Sequence, residues 1–171
     1  MDFNPPPKSI FRFVFDERFS RQFKTEPSEG SGGRSIIWPR GRVLGGSSSI
    51  NGLNFIRGQK EDYNMWRQLG NVGWGWDDIL PYFLKAENQE HGPSKFHNDK
   101  GPLAVSDQRI RLDILDEFMN AAEEVGIPKV TDFNKGDNYG CGYFQVTVKN
   151  GLRCSTSVAY LKPIKNRSNL K

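Results

Sequence analysis

The stretch GRVLGGSSSINGLN, from Gly41 to Asn54, sets the tightest limit on how this chain folds, because few of its residues have an apolar side chain to bury. Adjacent glycines let backbone N–H groups approach a ligand with no Cβ in the way, and the three hydroxyls of Ser47–Ser49 add donors. Amides turned toward one point form an anion-binding concavity. The stretch therefore predicts a loop, running into a helix or tight turn, that cradles a phosphate or lies against a flat cofactor. An ordinary serine-rich surface turn is the alternative.

The rest of the composition indicates a loop-rich chain of about one domain. Of 171 residues, 18 are glycine and 10 proline, and the apolar fraction is 36% with a mean hydropathy of -0.66. Such values are typical of a piece whose core is completed by other segments. The net charge of +4 is dispersed and forms no basic face, which argues against nucleic acid and suits a small anionic ligand.

Two cysteines, Cys141 and Cys154, lie thirteen residues apart without a second pair, so we expect free thiols in an intracellular protein, with no disulfide and no metal site. Residues 1–9 have no apolar leader core, and no apolar run is long enough to span a bilayer. We therefore expect no integral membrane segment, and a location in the cytoplasm or peripheral to the inner membrane.

Hydrophobic spacing predicts three strands: Ile36–Trp38, stopped by Pro39, then Leu103–Val105 and Tyr143–Val148. It also predicts, in chain order, a helical turn over 62–69, a helix over 78–88, a helix over 111–125 and a short helix over Ser155–Leu161 ended by Pro163. Asp77 is expected to cap the second of these helical segments, with Pro81 tolerated in its first turn. Gly126 should close the longest helix, and Asn150–Gly151 should form a hairpin turn.

The residue order continues well beyond the glycines and resembles the first signature of the glucose-methanol-choline (GMC) oxidoreductase family. The matching positions are Gly41, Arg42, Leu44, Gly45, Gly46, Ser47, Ser48, Ile50, Asn51, Phe55, Gly58 and Asn64. The flanking phrases FKTEP, RSIIWPRGRVLGG, IRGQKEDYNMW, GWGWDDILPYFLKAE, KGPLAVSD, VTDFN and GLRCSTSVAYLKP resemble choline-dehydrogenase-like members. The resemblance covers nearly the whole chain and is weakest over residues 1–20.

This resemblance implies an α/β chain: a partial FAD/NAD(P)-binding fold with part of the substrate domain or lid. Residues 1–34 would form an approach or lid segment, and residues 35–171 the FAD-binding region with a partial substrate domain. The implied activity is FAD-dependent oxidation of an alcohol CH–OH group, choline-like or aliphatic, to an aldehyde. Oxygen or a quinone-type compound would accept the electrons.

In such proteins the signature loop lies along FAD, so the resemblance places cofactor contacts at Val43, Gly45, Gly46, Ser47 and Ser48. It places the edge of the flavin ring beside Asn51, Gly52, Leu53 and Asn54. Some members attach FAD through a His just before the motif's Asn. That position is Ile50 here, so we expect non-covalent FAD.

Other parts of the family pattern are missing from this sequence. It contains no GxGxxG turn, and Gly30–Gly33 follows a polar stretch and precedes no helical pattern. The catalytic His of the family comes late in the full chain. His91 and His97 match no motif and are expected to be exposed loop residues, so no catalytic residue and no metal ligand is assigned.

Several conspicuous residues are interpreted as structural. Asp77–Asp78 and Glu123–Glu124 are expected to be a helix cap and a solvated face, and the four tryptophans to pack loops against helices. Two alternatives to an enzyme segment remain. One is a non-catalytic flavin- or nucleotide-binding module, and the other a truncated product without function.

We predict that the isolated chain does not oxidise alcohols even with added FAD, because the ADP-binding turn and the late His are not part of it. The measurement is anaerobic bleaching of flavin absorbance on addition of an alcohol. Reproducible stoichiometric bleaching by the purified chain would contradict this expectation.

Overall fold

The chain forms two compact units in a computed structural model that describes residues 10–170, without the side chains of Ile10 and Phe11. Unit 1 comprises 10–53 with 148–170, and unit 2 comprises 54–147. The helices are α1 (Ile10–Phe13), α2 (Lys60–Gln68), α3 (Trp76–Ala86) and α4 (Asp113–Glu124), and the strands are β1 (Ser20–Lys24), β2 (Ile37–Gly41), β3 (Asn54–Phe55), β4 (Glu87–Gln89), β5 (Leu103–Val105), β6 (Gln145–Val146), β7 (Val148–Lys149) and β8 (Leu152–Arg153). Helices and strands are interspersed along the chain, and the predicted α/β class is confirmed.

Unit 1 is built on two antiparallel strand pairs. Strands β1 and β2 pair from Ser20 with Gly41 to Lys24 with Ile37. Strands β7 and β8 form a hairpin whose turn places Asn150 and Gly151 at φ 51° and 74°, the left-handed pair that a tight two-residue hairpin needs. The hairpin turn predicted from these two residues is therefore confirmed.

Short helical turns complete unit 1. A 3₁₀ turn covers Glu29–Ser31, and a second covers Gly46–Ser49. A wide turn with π-helical hydrogen bonding over Ser157–Leu161 runs into a 3₁₀ turn over Lys162–Ile164. The buried apolar side chains are few: Ile50, Leu53, Cys154 and Ala159.

Unit 2 packs three helices around short strands. Strands β4 and β5 are parallel, whereas β3 pairs antiparallel with β6. Gly126, at φ 86°, ends α4 as predicted, because its N–H bonds to the carbonyl of Glu123. Buried apolar side chains are again few: Trp76, Ala104, Val105, Ala122 and Val146.

The structure corrects two predictions that rest on proline. Pro39 does not stop β2 but lies inside it opposite Gln22, which is possible because β2 pairs on one side only among the described residues. Pro163 does not end the C-terminal helical segment but lies at the second position of its last 3₁₀ turn, where no backbone N–H is required.

Two features of α3 also differ from the prediction. The helix begins at Trp76, and Asp78 rather than Asp77 caps it, because the Asp78 carboxylate accepts a hydrogen bond from the N–H of Gly75. Pro81 is the sixth residue of the helix and so lies beyond its first turn. Its position is exposed, so water can reach the carbonyl that loses its helical partner.

The single strand predicted over Tyr143–Val148 is two strands. Strand β6 pairs with β3 and β7 pairs with β8, with Thr147 between them. The sequence shows one apolar run because both strands are short and nearly contiguous. Their different partners place the division between the two units at this point.

Three of the tryptophans pack the loop after α2 against the helices of unit 2, as predicted. The Tyr63 ring lies 5.4 Å from Trp66 and 5.9 Å from Trp76, and Trp66 lies 5.8 Å from Trp74. Trp38, in unit 1, is 49% exposed with the Arg40 guanidinium over its ring. Aromatic contacts of this kind stabilise the loop, and Tyr63 and Trp74 also line an open cavity of about 320 Å³.

The apolar stripe predicted for α4 is present but largely uncovered by the described residues. Leu115 and Phe118 are 44% and 66% exposed, and only Ala122 is buried. Within residues 10–170, every helix is too short or too polar to traverse a bilayer. The predicted division at residue 34 stays a prediction, although β1 and β2, on either side of it, pair with each other.

Candidate functional site

The glycine-rich loop after β2 is shaped by two glycines that have no room for a side chain. A Cβ on Gly41 would lie 2.2 Å from the carbonyl oxygen of Gly46. A Cβ on Gly45, at φ 87°, would lie 2.5 Å from the Ser49 hydroxyl and 3.1 Å from the Cβ of Ser157. These two glycines therefore serve the internal packing of unit 1.

Gly46 differs from them because it faces open space. It also has a positive φ, 53°, but a Cβ built on it meets no atom within 4 Å. The backbone of the loop thus has one tightly packed side and one bare side. A bare glycine backbone is the surface that a flat or phosphate-bearing ligand can approach most closely.

The three serine hydroxyls hold the loop in this shape. The Ser47 hydroxyl accepts a hydrogen bond from the N–H of Gly41 at 3.1 Å, and the Ser48 hydroxyl accepts one from the N–H of Thr156 at 2.9 Å. Ser49 is fully buried and donates to the carbonyl of Leu44 at 2.8 Å. The Ser48 hydroxyl donates to the carbonyl of Gly45 at 2.5 Å, so the expectation that all three hydroxyls add donors for a ligand is wrong for Ser48 and Ser49.

Eight of the nine predicted contact residues lie in unit 1, and they differ in exposure. Ser47, Asn51 and Gly52 are exposed, those half-buried are Val43, Gly45, Gly46 and Ser48, and Leu53 is buried at φ 70°. Asn54 is exposed as well, but it begins β3 in unit 2. Which of these residues contact a cofactor stays a prediction.

A buried charged residue beneath the loop escaped the sequence reasoning. Arg153, at the end of β8, is 1% exposed and donates through Nη1 to the carbonyl of Ser48 at 3.1 Å and to Oδ1 of Asn51 at 2.8 Å. Only its place directly after the Asn150–Gly151 turn could have drawn attention to it. Nothing in the sequence pairs it with residues a hundred positions earlier.

Unit 2 contains a second group that the sequence did not reveal, centred on Glu87. This carboxylate is fully buried and accepts a hydrogen bond from Nη2 of Arg57 at 2.7 Å. Its other oxygen, Oε1, lies 3.0 Å from Nδ1 of His97, while the N–H of Asn98 donates to Oε2, the oxygen that accepts from Arg57, at 3.3 Å. Arg57 also donates to the carbonyl of Phe96 at 2.6 Å.

His97 extends this cluster to a second carboxylate. Its Nε2 lies 2.9 Å from Oδ2 of Asp132. Asp132, followed by Glu87, raises the pKa of His97 to about 9, against the desolvation that acts to lower it. Burial acts to raise the pKa of Asp132, but His97 and the N–H of Asn134 outweigh it, so that pKa is lowered. His97 is therefore protonated at neutral pH, and its ring lies between the carboxyl groups of Glu87 and Asp132.

The prediction that both histidines are exposed loop residues is wrong for His97, which is 6% exposed. It is right for His91, whose side chain is 62% exposed and pairs with Asp107 at 2.9 Å. The sequence could not separate them because both lie in one polar segment with glycine and proline nearby. The strand pair β4 and β5, which flanks the buried His97 in the chain, joins residues distant in sequence.

Three exposed or half-buried side chains, Glu90, His91 and Asp107, bring ligand-type atoms within 4.8 Å of one another. Their polar atoms already have partners, because His91 pairs with Asp107 and Glu90 pairs with Arg109. Exposed groups with such partners give no reason to assign a metal, and the expectation of no metal ligand stays a prediction.

The fold and the glycine-shaped loop define a segment of a flavoprotein oxidoreductase. The chain belongs to the GMC oxidoreductase family, whose pattern it matches over residues 23–171. The resemblance carried by Gly41 to Asn64 is thereby confirmed. Members of this family are FAD-dependent enzymes, so the expected cofactor and enzyme class are confirmed for the family, while the mode of attachment is not.

Curated relatives include choline dehydrogenases. Mitochondrial choline dehydrogenase of Mus musculus is 39% identical over 165 residues, which cover 96% of this chain. An oxygen-dependent choline dehydrogenase of Photobacterium profundum is 41% identical over 157 residues, or 90% of this chain. This chain spans 28% of the length of each of these relatives, which agrees with the expectation that it corresponds to an internal segment.

Solved structures agree with the fold. Pyridoxine 4-oxidase from Mesorbium loti superimposes with a TM-score of 0.90 at 28% identity, over 97% of this chain and 33% of that one. Formate oxidase of Aspergillus oryzae superimposes with a TM-score of 0.78 over 92% of this chain and 29% of that one. At 22% identity the second likeness supports the fold alone.

The raised pKa of His97 predicts that the folded state loses stability in alkaline solution. Because this pKa rises from 6.5 to about 9 on folding, the stabilisation is complete below pH 6.5 and is lost as pH rises through about 9. The free energy of unfolding, measured by urea titration, should fall across this range and fall less in a His97→Gln variant. His91→Gln is the matched control and should keep the parental slope. Equal slopes in all three proteins would contradict the charged cluster.

Proposed function

We propose that this chain supplies the flavin-contacting loop of an FAD-dependent oxidoreductase that acts on the CH–OH group of a choline-like or aliphatic alcohol. The single observation that carries the proposal is the bare backbone of Gly46 beside two glycines that unit 1 itself requires. Family membership supplies the cofactor class. The named activities of the choline dehydrogenase relatives support the substrate class.

The residues proposed to hold FAD fit that group in chemical character. The contacts are Val43, Gly45, Gly46, Ser47, Ser48, Asn51, Gly52, Leu53 and Asn54. The exposed ones among them offer backbone amides, a hydroxyl and carboxamides, which suit a ligand with a pyrophosphate and a polar ring edge. No charged side chain occurs in this set, so the loop would act through dipoles and close approach.

The attachment is proposed to be non-covalent. The residue before Asn51 is Ile50, whose side chain carries no nucleophilic atom and is 2% exposed. The chemistry that FAD would supply when held by these residues is hydride acceptance from the alcohol carbon, with oxygen or a quinone-type compound as the final electron acceptor. The loop's part is to orient the cofactor, to exclude water from its bare side and to donate hydrogen bonds where negative charge gathers. The base that takes the hydroxyl proton is proposed to lie outside this chain.

Substrate class is tested on the full-length protein that contains this segment. Anaerobic addition of choline and of a primary aliphatic alcohol should bleach the absorbance of bound flavin, and the faster of the two identifies the class. A protein that retains FAD but is bleached by neither alcohol would support the alternative of a non-catalytic flavin-binding module.

Gly46→Val in that full-length protein should lower the FAD content of the purified protein about tenfold or more. The methyl groups of the valine would overlap the cofactor, and such an overlap weakens binding by roughly 1–3 kcal/mol. Gly33→Val is the matched control. Gly33 also has a positive φ, 74°, and open space around it, but it follows the turn at Glu29–Ser31. Both variants place a valine at a positive φ, and only the first should lose FAD, measured by absorbance after release. Equal FAD content in the two variants would contradict the placement of the cofactor at Gly46.

A further inference from the structure

Arg153 is a buried cation without a carboxylate partner in the described part of unit 1. It is 1% exposed, and none of the salt bridges found within residues 10–170 involves it. Its Nε and Nη2 atoms also have no hydrogen-bond partner among those residues. Burial lowers the pKa of Arg153, although an arginine stays protonated in proteins. Such a residue costs folding free energy, so its place calls for a role beyond stability.

The contacts that Arg153 does make converge on the signature loop. One nitrogen, Nη1, bonds both the carbonyl of Ser48 and Oδ1 of Asn51. These two acceptors lie on either side of the buried Ser49 and Ile50, so a single rigid group spans the middle of the loop. A planar guanidinium holds such a geometry at a smaller loss of side-chain freedom than a flexible ammonium group.

The Asn51 carboxamide is oriented by these bonds. Its Oδ1 receives the N–H of Leu53 at 3.1 Å as well as Nη1 of Arg153 at 2.8 Å. Two donors around one atom identify it as the oxygen, so the opposite end of the amide is the NH₂ group. Asn51 is exposed, and its NH₂ group is turned away from Arg153 and the Leu53 amide that hold its oxygen.

We infer that Arg153 is a positioning residue: through Oδ1 it fixes the Asn51 amide so that the NH₂ group is presented as a hydrogen-bond donor to the flavin ring. This inference rests on the proposed function and adds a residue that lies outside the loop. A flavin gains negative charge on reduction, and a donor held in place before the reaction stabilises that charge without reorganisation. Arg153 acts from the buried side of the loop and need not touch the cofactor.

The first test is the midpoint potential of bound FAD in the full-length holoprotein. Arg153→Met should shift this potential to a more negative value, because the amide is no longer held as a donor. In an Asn51→Ala background the same change should shift the potential far less, since the group through which Arg153 acts is gone. Equal shifts in the two backgrounds, or no shift in either, would overturn the inference.

The second test is Asn51→Asp, which separates an effect on thermal stability from an effect on the flavin potential and on kcat. A carboxylate keeps the acceptor for Arg153 and Leu53 and gives the buried cation a counter-charge, so thermal stability of the flavin-free protein should rise. The same change replaces the NH₂ donor by an anionic oxygen. The potential should therefore shift to a more negative value, and kcat should fall by about a hundredfold with little change in KM. A more stable protein with an unchanged potential would overturn the inference.

Arg34→Met is the control for removing an arginine from unit 1. Arg34 is exposed, and among the described residues its side chain donates to the carbonyl of Ser31 alone, so its loss should leave the potential and kcat at the parental values. The result that would overturn the proposed function differs from the result that would overturn the role of Arg153 alone. A full-length protein that takes up no FAD overturns the proposed function, and with it this role of Arg153. Normal FAD uptake with an unchanged potential in Arg153→Met overturns the role of Arg153 alone.

Discussion

The fully buried Glu87 carboxylate is the interaction on which unit 2 depends. It accepts from Arg57, which follows β3, and from the backbone of Asn98, and it pairs with His97, which in turn reaches Asp132. Three segments distant in sequence thus meet at the Glu87 carboxylate, and His97 links them to a fourth at Asp132. Buried apolar side chains in this unit are few and several are small, so paired charges take the place that a larger hydrophobic core has in most domains. Removing one partner would leave an uncompensated buried charge, which is far more costly than the loss of a surface ion pair.

Unit 1 is likewise organised around a buried charged side chain, but the groups that this side chain contacts are uncharged. Its central cation, Arg153, has acceptors that are neutral: a backbone carbonyl and the amide of Asn51. Close backbone packing at Gly41 and Gly45 fixes the rest of the loop, so that Gly46 is left bare. The loop is therefore rigid on the side that faces its own unit and smooth on the other. A rigid, smooth surface is what a site needs to orient a flat cofactor without reorganising when the cofactor changes charge.

Local signals in the sequence predicted the elements that depend on local physics. The Asn150–Gly151 turn, the end of α4 at Gly126 and the strand at Leu103–Val105 all follow from residues adjacent in the chain. The errors concern residues whose setting depends on distant partners. Pro39 is tolerated because β2 pairs on one side only among the described residues. His97 is buried where it pairs with Glu87 of β4 and with Asp132, a residue far along the chain. Hydrophobic periodicity carries no information about either circumstance.

Residue order over Gly41 to Asn64 was enough to identify the family and its cofactor class, because that order is specific and turn-forming glycines act locally. The contacts that each residue of this loop makes became known from the folded chain. The tertiary structure divided the double glycine into a packed Gly45 and a bare Gly46, and it withdrew the Ser49 hydroxyl from solvent. It also brought Arg153 beneath Asn51, a hundred residues earlier in the chain. The physical reason is that a hydrogen bond or a steric contact between distant segments exists only once the chain has folded, whereas a backbone preference belongs to each residue from the start.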